Sequence, residues 1–342
     1  MSRFSGMNVV ETRAVMIQIL VSFGQKGLQR ALCRKLGVLL LVLAGCGGAS
    51  VKKEAEVVLP AKLGDLLPVD MSVALRVHLA QLRKTQSYPS IRNVMVHTLA
   101  NAQGTDAVDV GEILDRSNEF VMGVSYDANA QPTTIMLLRG QHDSQSLNAF
   151  AIRFDLSLRA EFLAKDVWVI ASQERIAQLR KRLDDQETQH VALKLLREKY
   201  GFDETLLCLV VQGTPEVQAR ISKDSFFANV PFFRQGPLPE VLTHFQRMGL
   251  RMDIDETARV NLGFHVASSE LAQGAAAQAK ELVARYRANF LVMALGLRPV
   301  FDNASIYATD GQLLLTIEVP ENDAAVIASR FSDLSKLSRK QQ

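Results

Sequence analysis

The chain has 342 residues, with 39 Lys+Arg against 36 Asp+Glu, a formal net charge of +3 and three cysteines. At about 100–200 residues per domain this length allows one large or two modest domains. The positive balance belongs to the N-terminus: residues 1–45 hold six basic residues and one acid, leaving 33 basic against 35 acidic residues from Cys46 onward. No basic excess then remains to neutralise phosphates, which excludes a nucleic-acid-binding body.

The N-terminus carries the sharpest motif. Arg30, Arg34 and Lys35 precede the apolar run Leu36–Ala44, which ends in Leu43-Ala44-Gly45-Cys46. The run is too short to span a bilayer, which takes about 20 apolar residues, and it fits a secretory signal of about 7–15 apolar residues behind a charged segment. The small pair Ala44-Gly45 lets an extended backbone enter a peptidase site, and Cys46 supplies a thiol. This order of charge, apolar run and Leu-Ala-Gly-Cys resembles the lipobox of bacterial lipoprotein precursors. The resemblance implies cleavage between Gly45 and Cys46, and a diacylglyceryl and palmitate-type acylation of Cys46. Several acyl chains anchor a protein firmly, where one binds a membrane only marginally. Gly47 after Cys46, rather than Asp, implies by the same resemblance the outer membrane of a bacterial cell envelope. Some 30 residues and a second apolar stretch, Val15–Val21, precede Arg30; a leader of that length points to a true start downstream of Met1 or to an unusually extended leader.

Residues 46–65 read as a lipidated N-terminus and flexible tether, with Gly47, Gly48, Ala49 and Ser50 followed by mixed charge. The body then opens near Leu66 with a strand over Val73–Leu79, and a helix over Ala80–Leu99 broken before Pro89. Strands follow over Phe120–Tyr126 and Thr133–Arg139, paired through Asp127-Ala128-Asn129-Ala130. A short helix, Ser144–Phe150, leads to strands Arg159–Leu163 and Val167–Ala171, and a helix over Gln173–Leu183 closes the series.

The second half repeats the order. Leu206–Gln212 is a strand and Pro215–Ile221 a helix; Arg251–Ile254 and Arg259–Ala267 form a hairpin. A helix over Glu270–Leu295 carries Ala279, Leu282, Val283, Tyr286, Phe290 and Met293 at helical spacing and stops at Gly296. Strands Ala304–Ala308 and Leu313–Val319 and a helix over Asn322–Phe331 follow. The fold class is therefore α+β: two similar units, 66–186 and 187–335, of antiparallel sheet packed against helices on one face, from an internal duplication or a coincidence of pattern, with a polar tail at 336–342. The segment Leu66–Arg83 also resembles the opening strand and helix of uncharacterised envelope lipoproteins, a resemblance that implies fold and no mechanism.

The chemistry-bearing residues are few. Cys33 lies in the leader, Cys46 is consumed by lipid, and Cys208 stands alone in an apolar strand, where it acts as a small hydrophobe. Asp253-Ile254-Asp255-Glu256-Thr257 matches D-x-D-x-T and so resembles the nucleophile motif of haloacid-dehalogenase-type phosphatases, a resemblance that implies a metal-dependent phosphatase. The plain alternative is a charged hairpin turn, because Arg251 and Met252 precede the motif and a strand follows it. His142-Asp143 stands at a strand-to-helix junction, where Asp143 or Ser144 serves as a helix cap. The remaining histidines from His78 to His265 make no zinc spacing. No metal and no cofactor are implied.

Phe226, Phe227, Phe232 and Phe233 cluster in a loop-like stretch with Pro231, Gly236 and Pro237. They serve either as an interaction patch for a partner or lipid, or as plugs in the seam between the units. Basic residues from Arg175 to Lys199 are interleaved with acids, as on a solvated helix face. Taken together, the sequence reads as a non-enzymatic envelope lipoprotein that binds or scaffolds a partner protein, its body facing the periplasm or cell surface. Alternatives are a carrier of lipid or peptide and, last, the phosphatase.

Overall fold

The computed structural model describes residues 62–337, apart from 94–95, 97–106, 130, 185–192, 223–235, 290–291 and 294–295. After a 3-10 turn at Leu63–Leu66 the elements are β1 (Val73–Val77), α1 (Leu79–Leu82), α2 (Ala107–Arg116), β2 (Ser117–Tyr126), β3 (Pro132–Gly140), α3 (Ser144–Phe154), β4 (Leu158–Ala164), β5 (Val167–Ser172) and α4 (Gln173–Asp184). After α5 (Lys194–Lys199), the series β6 (Leu207–Gln212), α6 (Pro215–Ser222), α7 (Pro237–His244), β7 (Arg247–Ile254) and β8 (Thr257–His265) follows. It closes with α8 (Ser269–Arg287), α9 (Arg298–Asp302), β9 (Ala304–Thr309), β10 (Gln312–Pro320) and α10 (Glu321–Leu337).

The strands form one ten-stranded sheet in the order β4-β5-β3-β2-β1-β6-β7-β8-β10-β9, and every pairing is antiparallel. Read outward from the middle, β1-β2-β3-β5-β4 and β6-β7-β8-β10-β9 follow the same path. The fold is α+β, built from two units of like topology that meet edge to edge at β1 and β6.

The units differ in how they are covered. The first carries helices on both faces, which corrects the expectation of one. On its inner face Leu75, Phe120, Met122, Met136, Leu138 and Ile170 pack beneath Ile113 and Leu114 of α2 and Leu147 and Phe150 of α3. On its outer face Ala74, Val121, Leu137 and Val169 pack beneath Leu63, Leu66 and Leu67 of the N-terminal turn, Ile176 and Leu179 of α4, and Leu196 and Phe202. The packed body thus reaches back to Leu63, which is fully buried. The cause is local: Ile135-Met136-Leu137-Leu138 and Val167-Trp168-Val169-Ile170-Ala171 are apolar at consecutive positions. Successive side chains point to opposite faces, so both faces need cover.

Among the described residues, the core of the second unit is covered by helices on the inner face. There Val217, Leu238, Val241 and Phe245 join Ala272, Ala275 and Ala276 of α8 over Val211, Phe264 and Leu313. Its outer face is polar, with Arg251, Asn261, Arg259 and Thr316 along β7, β8 and β10. Tyr200 lies across the cross-strand pair Gly249 and Gly263, with Leu314 beside them. A Cβ on Gly249 would stand 2.4 Å from that ring, so the glycines are the space the ring occupies.

Two long helices anticipated from periodicity are interrupted. The segment after β1 is broken before Pro89 as expected, with α1 at Leu79–Leu82 and helix again over 88–93 and at 96, while α8 closes at Arg287 and helix recurs at 292–293. Helices α2 and α7 add to the expected elements; the first follows a Gln/Gly/Thr-rich stretch and the second begins at Pro237, where the fixed proline φ suits a first helical turn.

Candidate functional site

Residues directly opposite in an antiparallel pair share a face. One row can therefore be traced across all ten strands: Ala160, Ile170, Met136, Met122 and Leu75, then Leu209, Leu250, Leu262, Leu315 and Ile306. The centre of the row is the contact of the two units. The five residues of the first unit are all at most 4% exposed. In the second unit Leu209, Leu250, Leu262 and Leu315 are half-buried. The adjoining row repeats the pattern, with Met252, Val260 and Ile317 half-buried.

Every inner-face residue of β7, β8, β9 and β10 is apolar, so this opening has an aliphatic floor without a hydrogen-bonding side chain. One wall is the C-terminal half of α8, where Leu282 and Val283 pack against the core. Beyond them Tyr286 stacks on Phe301 of α9 at 6.0 Å between ring centroids. The cover is shallow for a reason in the sequence. Helix α3 meets the first unit with Leu147 and Phe150, whereas α8 meets the second with Ala272, Ala275 and Ala276. Small residues let α8 sit close over one end of the sheet, and Gly274 lets Pro237 approach so that a Cβ there would be 2.9 Å away.

The D-x-D-x-T segment is structural. Asp253 Oδ1 accepts from the Leu206 backbone N–H at 3.1 Å and its Oδ2 from Arg251 Nε at 2.7 Å. Asp255 Oδ1 accepts from the Thr257 N–H at 2.8 Å and its Oδ2 from Arg259 Nη1 at 3.1 Å. The Thr257 hydrogen bond, with help from Arg259, holds the Asp255 carboxyl below its ordinary value. The motif closes the β7–β8 hairpin, and β8 follows at once where a phosphatase would need a crossover helix. The segment is the charged hairpin turn, without the strand-to-helix crossover that the phosphatase motif opens. Among the described residues no group of three or more His, Cys, Asp or Glu could hold a metal ion.

The remaining polar groups of interest also serve the fold. Arg76 and Glu119, both buried, pair at 2.7 Å; Arg139 donates to the other Glu119 oxygen at 3.2 Å, and Arg76 Nη1 donates to the carbonyls of Phe202 and Thr205. Arg197, 3% exposed, donates to the Gly64 carbonyl and pairs with Asp65 and Asp203. Asp143 caps α3 by accepting from the Ser146 N–H at 3.0 Å. His142 Nε2 stands 3.0 Å from Ser117 Oγ. Burial first, and then Arg116, push the His142 pKa down to about 4, so the ring is neutral. Ser117 is fully buried and His142 half-buried. Burial likewise pushes the Cys208 thiol up to about 12.

Cys46, Gly45 and the cluster Phe226, Phe227, Phe232 and Phe233 lie outside the described residues. The half-open apolar face was missed from sequence, though its signal is there. Arg247-Met248-Gly249-Leu250-Arg251-Met252-Asp253-Ile254 alternates strictly, unlike the continuous apolar runs of the first unit.

No protein-family model matches the chain, and no curated protein does. Two solved structures share a likeness in chain path. Crystal form III of TP0453 is 12% identical, with 79% of this chain and 98% of that chain covered at a TM-score of 0.42. Crystal form I of TP0453 is 12% identical, with 80% and 99% covered at a TM-score of 0.38. Among the described residues no helix is long and apolar enough to cross a membrane.

Proposed function

We propose that this chain is a lipid-anchored envelope module without catalytic activity, whose second unit binds the acyl chain of a lipid on its half-open inner face. The observation that supports it is the row Leu209, Leu250, Leu262 and Leu315, half-buried where the matching row of the first unit is closed. Apolar surface left open costs about 25 cal/mol per Å², which an apolar ligand recovers. An all-aliphatic floor offers nothing to pair with a peptide backbone or a polar headgroup, which favours an acyl chain. The Leu43-Ala44-Gly45-Cys46 sequence supports the anchor, which would hold the body where such chains are abundant.

Two measurements test the two parts separately. Native mass spectrometry of the full chain, extracted in mild detergent, should show a bound acyl lipid that is lost from a Leu262→Gln, Leu315→Gln double variant; ligand-free wild-type protein would overturn the binding reading. Metabolic labelling with a radioactive fatty acid should mark wild type and not Cys46→Ser; equal labelling would overturn the anchor alone.

A further inference from the structure

The two edges of the sheet are built differently. On β4 the pairing with β5 slips between Phe162 and Ala164, and the charged residues Arg159 and Glu161 stand along it. Such bulges and charges blunt an edge against further strand pairing. On β9 neither device is present. Ala304–Thr309 contains no charge and no proline, and its register with β10 runs unbroken from Ala304 opposite Ile317 to Thr309 opposite Gln312. Ser305, Tyr307 and Thr309 are exposed on its outer face, with Tyr307 48% exposed. Among the described residues, the Ala304–Thr309 backbone makes no hydrogen bond except to β10. Its outward N–H and C=O groups are a template for another strand.

We propose that β9 is an interaction edge that pairs antiparallel with β9 of a second copy of this chain. Tyr307 would stand opposite Tyr307 across a two-fold axis, with Ser305 opposite Thr309. A strand facing its own copy repeats every charge, and β9 has none to repel. That register also removes two exposed tyrosine rings from water on one face. The molecule already joins two like-built edges this way, at β1 and β6. A six-residue edge pair falls below the ~1,200 Å² of a standard stable interface, so the dimer forms weakly in solution. Confinement on a surface would raise its effective concentration.

Disulfide trapping tests the pairing independently of membrane anchoring. The full chain carrying Tyr307→Cys, purified in mild detergent, is exposed to a mild thiol oxidant beside wild type and an Arg159→Cys control on the opposite edge. A disulfide-linked homodimer at least ten-fold more abundant in Tyr307→Cys than in either control is expected, and adding Ser305→Lys should suppress it. Equal dimer in all three proteins, or none in Tyr307→Cys with a native circular dichroism spectrum, would overturn the proposal. If Tyr307→Cys fails to fold, sedimentation velocity decides: wild type should self-associate with rising concentration and Ser305→Lys should not, and identical monomeric behaviour overturns it.

Discussion

Leu75 and Leu209 stand directly opposite each other where the two units meet. They occupy matching positions: Leu75 faces Met122 on the next strand outward, and Leu209 faces Leu250. Yet Leu75 is 1% exposed and Leu209 is half-buried. The change from closed to open cover therefore falls at the central pair, and the same topology yields a packed unit on one side and an open one on the other.

That asymmetry predicts unequal costs for equal substitutions. Leu75→Ala removes a side chain from a closed core and should cost about 2–5 kcal/mol. Leu209→Ala should cost about half as much, because part of its side chain already meets water. Urea denaturation of the two variants checks this, and equal losses would contradict the difference in cover.

A sharper version uses Ile170 and Leu315, which sit in the same row at matching places. Ile170→Gln buries an unsatisfied amide beside the inner core and should unfold the protein or lower stability by about 3 kcal/mol or more. Leu315→Gln should cost about 1 kcal/mol while weakening an apolar fluorescent probe several-fold. Thermal melts and probe titration read the two effects apart.

Much of the fold was legible because turn chemistry and apolar runs are local signals. Asp127-Ala128-Asn129-Ala130, Lys165-Asp166 and Asp310-Gly311 each stand at a strand junction, and Lys165, Asp310 and Gly311 adopt the positive φ such turns use. The order of elements gave the like topology of the two halves. What was not legible depends on distant partners. Nothing in Met252-Asp253-Ile254-Asp255 says that Asp253 will accept from Leu206, so a hairpin turn imitated a phosphatase motif. Nor does the alanine content of α8 reveal an open face until α3 is seen to cover its equivalent with Leu147 and Phe150.

The ion pair of Arg76 and Glu119 gives a third prediction. Both side chains are nearly closed off from water, and Glu119 also holds Arg139. Glu119→Gln leaves Arg76 buried without its counter-charge and should cost about 3–5 kcal/mol. Replacing Arg139 with Gln, a more exposed partner, should cost about 1 kcal/mol or less. Denaturant midpoints of the two variants test the ranking, which fails if Arg139→Gln is the more damaging.

His142 supplies the pH dependence. Its folded pKa is pushed down to about 4 from an ordinary 6.5, by burial first and by Arg116 second. A histidine depressed by folding takes up its proton more readily in the unfolded chain. Its contribution to stability is therefore complete above about pH 6.5, falls as pH drops toward 4, and levels off below that. The full span corresponds to at most about 3 kcal/mol. His142→Gln keeps an acceptor for Ser117 Oγ but has no proton to gain. The difference in unfolding free energy between wild type and His142→Gln, measured from pH 7 to pH 4, should therefore shift steadily against wild type. Histidines 78 and 265 are depressed in the same direction and are present in both proteins, so they cancel from that difference. A difference that stays flat across the range would show that the His142 ring is protonated as easily in the fold as outside it.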